Sequence, residues 1–239
     1  MKQVWKRAAA LGLALGLVLG LSACTGGSSD VDNVTTLVRG NLDEIYQGKY
    51  DPEYLKLVDS TESEGEEAYL EGLEVEAEYF AYYWGIIDAS YDEKFEDLDQ
   101  SLRDDIVALY KDIYSHSKYE VEPAVKQEDG NFTVKVTVEA IDVMQQASDL
   151  YDNDTYEPLN AFYEKLGNVN PEEMTEEQYA EITNEYGRII VQLVKEQLPN
   201  LGYQEAKSLS IQVEKDDKGV FSINNDDWER FDTMVIAYP

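Results

Sequence analysis

From Asp30 onward, apolar residues recur at a spacing that switches between two periods, and each switch marks a change of structure. Asp30–Gly48 reads as a first helix, with Val34, Leu37, Val38, Leu42 and Ile45 on one face and Gly48 placed to stop it. A short helical segment at Asp51–Asp59 follows, entered through Asp51-Pro52. Ser63–Trp84 is a long helix with the stripe Tyr69, Leu70, Leu73, Ala77, Phe80 and Trp84, and with Glu67, Glu71, Glu74 and Glu78 opposite. Asp92–Ser115 repeats the design with Leu98, Leu102, Ile106, Leu109 and Ile113.

The period then falls to two. Tyr119, Val121 and Val125 lead into the turn Glu128-Asp129-Gly130-Asn131, and Phe132, Val134, Val136 and Val138 return in strict alternation. This predicts a β-hairpin over Lys118–Ile141. A second hairpin is predicted over Ser208–Ile223, with Leu209, Ile211 and Val213 before the turn Asp216-Asp217-Lys218-Gly219. Helical spacing resumes between the two. Val143–Leu166 is helical with a break near Asp152–Pro158, and Pro171–Leu198 is a helix with Asn170 as cap, Pro171 first and Glu173 completing a capping box. A last helix follows Asp226. The sum is an α+β fold: N-terminal helices packed on a four-stranded antiparallel sheet made of two β-hairpins, with a helical insertion between the hairpins.

The first 23 residues obey a different pattern. Lys2, Lys6 and Arg7 precede the uncharged, Leu/Ala/Gly-rich run Ala8–Leu21, and Leu21-Ser22-Ala23-Cys24 closes it as a lipobox closes a lipoprotein signal. As a helix that run would be about 21 Å long, short of a hydrocarbon core of roughly 30 Å. Cys24 is the only cysteine, and its sulfur is the atom that can take a diacylglyceryl thioether. The expected organisation is a signal peptide at 1–23, the lipidated Cys24 and a flexible tether at 24–33, and one α+β domain at 34–239. The expected location is the extracytoplasmic face of the cell membrane, with the membrane itself as the partner reached through Cys24.

Composition narrows the chemistry. Lys and Arg number 19 against 50 Asp and Glu, giving a net charge of −31. Cleaving the signal removes only positive charge and leaves the exported part more acidic. Such a surface repels phosphate backbones, so nucleic acid is excluded as a partner, and charge-recruited partners are cationic. With Cys24 committed to lipid, thiol catalysis, thiolate metal sites and redox pairs have no residue to use. Neither a cofactor nor a resident metal is expected.

Four clusters remain as candidate sites. His116, the only histidine, follows Ile113 by three near a helix end, where its charged form suits the helix C-terminus. Asp149, Asp152 and Asp154 invite a calcium reading, but an EF-hand loop opening at Asp152 would need Gly and Glu where Glu157 and Tyr163 stand. A looser calcium site near Asp149–Asp154 stays open beside the plainer reading of a helix break. Glu71, Glu74 and Glu78 form a carboxylate row suited either to acid–base chemistry or, as in any acidic helix, to solvent. Tyr79, Tyr82 and Tyr83 flank the buried stripe of their helix and are the candidate ligand-binding residues, since tyrosine can stack on a sugar or grip a peptide.

Helices preceding a sheet of hairpins resemble the cystatin-like or nuclear-transport-factor-2-like architecture. The lipobox together with Val38-Arg39-Gly40-Asn41-Leu42-Asp43, Tyr54-Leu55-Lys56-Leu57-Val58, Leu73-Glu74-Val75-Glu76-Ala77-Glu78-Tyr79-Phe80 and Leu198-Pro199-Asn200-Leu201-Gly202-Tyr203 resembles uncharacterised lipoproteins of anaerobic Gram-positive gut bacteria. That resemblance implies kinship and an anchor, and it carries no functional residues across. The expected function is a lipid-anchored binding or interaction domain for a cationic, glycan or peptide ligand. The alternative is a carboxylate-dependent envelope enzyme acting on glycan or peptide.

Overall fold

The structure is a computed structural model that describes residues 29–88, 90, 93–170 and 173–239. The expected signal segment, Cys24 and residues 25–28 of the expected tether lie outside the described residues, as do Asp92 and Pro171, whereas residues 30–33 of that expected tether are the first turn of a helix. The chain is α+β and divides into two compact units.

The first unit comprises Met1–Gly72 (described from residue 29), Tyr114–Ala140 and Tyr203–Ile236. Helix α1 (Asp30–Gln47) opens on a capping box in which Ser29 accepts from the Asp32 amide and Asp32 accepts from that of Ser29. It closes on Gly48 in the left-handed conformation at φ 56°. Helix α2 (Pro52–Leu57) is capped by Asp51, whose carboxylate accepts from the amides of Glu53 and Tyr54. Helix α3 (Glu62–Tyr83) starts behind Thr61, which exchanges side-chain and backbone hydrogen bonds with Glu64.

The sheet belongs to this unit. Strands β1 (Lys118–Val121), β2 (Val125–Lys126), β3 (Phe132–Glu139), β4 (Lys207–Lys215) and β5 (Phe221–Ile223) are all antiparallel in the order β1-β3-β4-β5, with β2 also on β3. The first predicted strand is therefore split. Pro123 cannot donate to the ladder, and the next amide, Ala124, donates instead to the Thr35 hydroxyl on α1 at 2.9 Å. The second half of each hairpin lies in sequence as the alternation predicts, and the register sets Phe132, Val134 and Val136 opposite Val213, Ile211 and Leu209, all buried. Helix α1 packs on β3, and helix α8 (Asn225–Asp232) packs on β4. Beneath them Tyr46 is fully buried and donates to Asp232 at 2.8 Å, and Tyr119 donates to Asp43 at 2.7 Å. Lys215 of β4 pairs with Asp30 at the head of α1 at 2.6 Å.

The second unit, Leu73–Ile113, Ile141–Gly202 and Ala237–Pro239, is helical among its described residues. It contains the latter half of α3, most of α4 (Gln100–Ser115), α5 (Val143–Asp152), α6 (Glu157–Leu166) and α7 (Glu176–Lys195). Helix α7 packs on α5 and α6, and Gly187 brings it close to Leu102 of α4. The break between α5 and α6 falls where the sequence placed it. Two helix starts do not. Helix α4 begins at Gln100 instead of Asp92, after a separate 3-10 turn at Phe95–Asp97. Helix α7 begins at Glu176 instead of Pro171, because Thr175 and Gln178 make the reciprocal capping box that had been assigned to Asn170 and Glu173. At α8 the cap is Asn224, which accepts from the Asp227 amide.

Candidate functional site

The aromatic residues of the second unit form a continuous ribbon. Along α3 and just past its end the buried stripe continues through Ala77, Phe80 and Trp84, and the residues one turn apart on the flank, Tyr79 and Tyr83, lie with ring centroids 6.1 Å apart. Tyr238, near the chain end, packs edge-on to both, at 5.6 Å from Tyr79 and 4.8 Å from Tyr83. Its hydroxyl makes a short hydrogen bond to that of Tyr110 on α4. Tyr83 stands edge-on to Trp84 at 5.3 Å, and Trp84 in turn to Tyr151 of α5 at 5.6 Å. Edge-to-face contacts of this kind are favourable beyond the area they bury and hold each ring at a fixed angle.

At Tyr151 the ribbon becomes polar. The Tyr151 hydroxyl lies 3.2 Å from that of Tyr163 on α6 and 3.3 Å from that of Tyr186 on α7, and Tyr186 donates to the Trp84 carbonyl at 2.8 Å. Burial, then the contact with Tyr151, pushes the Tyr163 phenol up to about 12, and the same causes push Tyr186 up further. Both therefore stay protonated across any physiological range. Tyr163 is 44 % exposed, so the ribbon surfaces at this end. The indole nitrogen of Trp84 is buried without a hydrogen-bond partner.

Of the three tyrosines singled out from the sequence, Tyr79 and Tyr83 lie together in the ribbon, both half-buried. Tyr82 turns to a different flank, where its hydroxyl approaches the Glu93 carbonyl at 3.5 Å. Glu93 also accepts from the Tyr179 hydroxyl at 3.0 Å and from the Asp88 amide at 2.7 Å. Tyr151, Tyr163, Tyr186 and Tyr238 join the ribbon from segments far away in sequence. Nothing in the sequence around these four residues joins them to Tyr79 and Tyr83.

The other candidates fare differently. Glu71, Glu74 and Glu78 are exposed, whereas Glu76, between them in sequence, is 1 % exposed. Asp149, Asp152 and Asp154 are all exposed, and no group of three or more metal-ligating residues is gathered among the described residues. His116 is exposed just past the end of α4, and its carbonyl accepts from Tyr203 at 2.9 Å. It is exposed although it follows the buried Ile113 by three. No helix among the described residues is long and apolar enough to cross a membrane.

No family model matches the chain, and no curated protein matches it. Among solved structures it is similar to the crystal structure of the Bacillus subtilis subsp. subtilis strain 168 protein YcdA, itself described as a lipoprotein. The TM-score is 0.52 at 16 % identity, over 86 % of this chain and 56 % of that one. The present chain thus spans little more than half of YcdA, and the likeness is one of fold.

Proposed function

We propose that the protein is a lipid-anchored, extracytoplasmic binding module that holds its ligand along the tyrosine ribbon of its second unit. The anchor half of the reading rests on Leu21-Ser22-Ala23-Cys24 and is supported by the fold shared with a protein described as a lipoprotein. Two acyl chains on Cys24 would hold the module stably, at about 0.8 kcal/mol for each buried methylene. The binding half rests on one observation, the run of edge-packed rings from Tyr79 and Tyr238 through Tyr83 and Trp84 to Tyr151, whose hydroxyl reaches that of the exposed Tyr163. Rings fixed in this way lose little freedom when a ligand covers them, and tyrosine is among the residues that dominate binding energy. The segments Val38-Arg39-Gly40-Asn41-Leu42-Asp43 and Leu198-Pro199-Asn200-Leu201-Gly202-Tyr203 support kinship with lipoproteins of anaerobic Gram-positive gut bacteria.

Expression with the native signal in a Gram-positive host tests the anchor. The wild type is expected in the membrane fraction with a mature N-terminus at a diacylglyceryl-modified Cys24, and Cys24→Ala is expected to leave it unprocessed or shed. A soluble wild type beginning at another residue would overturn it. Screening the purified protein against glycan and peptide arrays tests the site. Tyr83→Ala is expected to weaken the bound ligand by about 1–3 kcal/mol, whereas Glu74→Gln should matter little. Turnover of a glycan or peptide that a single Glu→Gln change abolishes would favour the enzyme instead.

A further inference from the structure

The hydroxyl cluster at the exposed end of the ribbon has a fixed direction. A phenol carries one proton, and a carbonyl can only accept. Tyr186 spends its proton on the Trp84 carbonyl. The contact between Tyr151 and Tyr186 is then a hydrogen bond only if Tyr151 donates, which in turn makes Tyr163 the donor to Tyr151. Protons thus point inward along Tyr163, Tyr151, Tyr186 and Trp84, each donation making the next oxygen a better donor. The outer oxygen, on Tyr163, has given its proton inward and faces solvent with lone pairs to offer. A group that hydrogen-bonds there must donate.

Charge narrows the donor further. The carboxylate of Asp154 acts on Tyr163 through space, and Asp152, Asp154, Glu157 and Glu164 are exposed on the same two helices and their connection. The neighbouring cation, Lys165, is already bound to Glu185 at 2.5 Å. The exposed ring of Tyr163, with the half-buried Tyr151 beside it, adds the attraction of an aromatic ring for a cation.

We propose that the outward oxygen of Tyr163, with the rings of Tyr163 and Tyr151 and the carboxylate of Asp154, receives a lysine ammonium of a basic peptide. This rests on the binding reading above and names the chemistry of one end of its site. The ammonium donates to the Tyr163 oxygen, keeps its charge against Asp154, and lays its methylene stem on the ring surface.

The test uses the lipidated protein in detergent micelles at physiological salt, with calorimetric titration of tetralysine, of tetralysine acetylated on every side chain, and of a neutral N-acetylglucosamine tetramer. Tetralysine is expected to bind and its acetylated form to lose most of its affinity. Tyr163→Phe keeps the ring and removes only the oxygen, and it should weaken tetralysine about tenfold, as for a hydrogen bond to a charged group. Asp154→Asn, a change the left-handed backbone at φ 52° tolerates, should weaken it several-fold. Glu71→Gln, an exposed acid outside the second unit, should leave it unchanged. Equal affinity of wild type and Tyr163→Phe for tetralysine would overturn the inference, as would binding of the neutral tetramer alone or of none of the three probes. Loss of a ligand on Tyr83→Ala but not on Tyr163→Phe would sink this inference while leaving the binding reading in place.

Discussion

At the scale of single residues, the tightest constraint lies at Gly40. A Cβ there would stand 2.1 Å from Cγ of Tyr54, so α1 can meet the Tyr54 ring only with hydrogen at this position. Tyr54 is itself buried, and a rigid ring cannot swing away as a flexible chain end would. Gly40→Ala is expected to destabilise the protein by about 1–3 kcal/mol, read from urea unfolding, although alanine is the better helix former in isolation. A neutral or stabilising result would mean that Tyr54 has room to move. Gly40 was visible in the sequence within Val38-Arg39-Gly40-Asn41, but nothing local said what it touched. The site shares that limit. Tyr79 and Tyr83 could be read from helical spacing, whereas Tyr151, Tyr163 and Tyr238 meet them only through tertiary packing. Tyr82 shows the converse, since adjacency in sequence puts it on a different flank of the same helix.

At the scale of elements, strands and turns were more legible than helix starts. Alternation at Phe132–Val138 is a long-range signal, because a one-residue slip would turn every buried side chain outward. Helix starts depend on a single cap, and this chain offers several in competition. Between Asn170 and Thr175 the hydroxyl wins, because the Gln178 side chain in turn accepts from the Thr175 amide at 3.0 Å. Thr175→Ala should therefore cost about 1 kcal/mol and fray the first turn of α7, seen as faster amide exchange at Gln178 and Tyr179. Unchanged exchange there would shift the cap elsewhere. The division of the first strand into β1 and β2 was likewise legible in hindsight from Glu122-Pro123, a pair that the alternation of Tyr119, Val121 and Val125 passes over.

At the scale of the whole molecule, the abundance of tyrosine, 18 in all, governs the response to alkali. Burial holds Tyr50 and Tyr156 up at about 12, with Glu66 and Glu196 respectively adding to it, and raises Tyr54 and Tyr119 further. In the unfolded chain the same phenols ionise near 10. Above that pH the unfolded state has released protons that the native state retains, so stability is fully present below about pH 10 and falls as pH rises from there toward 12. A titration should show some phenols ionising near 10 and the rest only as circular dichroism is lost. Ionisation of every tyrosine near 10 with the fold intact would refute this. Burial also raises Glu44 from its ordinary value, so this carboxyl favours the native state most below about pH 4.5, the ordinary value, and loses that contribution as pH rises through its raised one. The link between Asp30 and Lys215 has a mechanical meaning as well. A single ion pair of this half-buried kind adds little at rest, but it stands at the first residue of α1, where any pull on the chain ahead of Ser29 arrives. Lys215 carries that tension to β4, a strand flanked on both sides by β3 and β5. A pull on the chain ahead of Ser29 would thus be shared with the interior of the sheet and not be borne by the first turn of α1 alone.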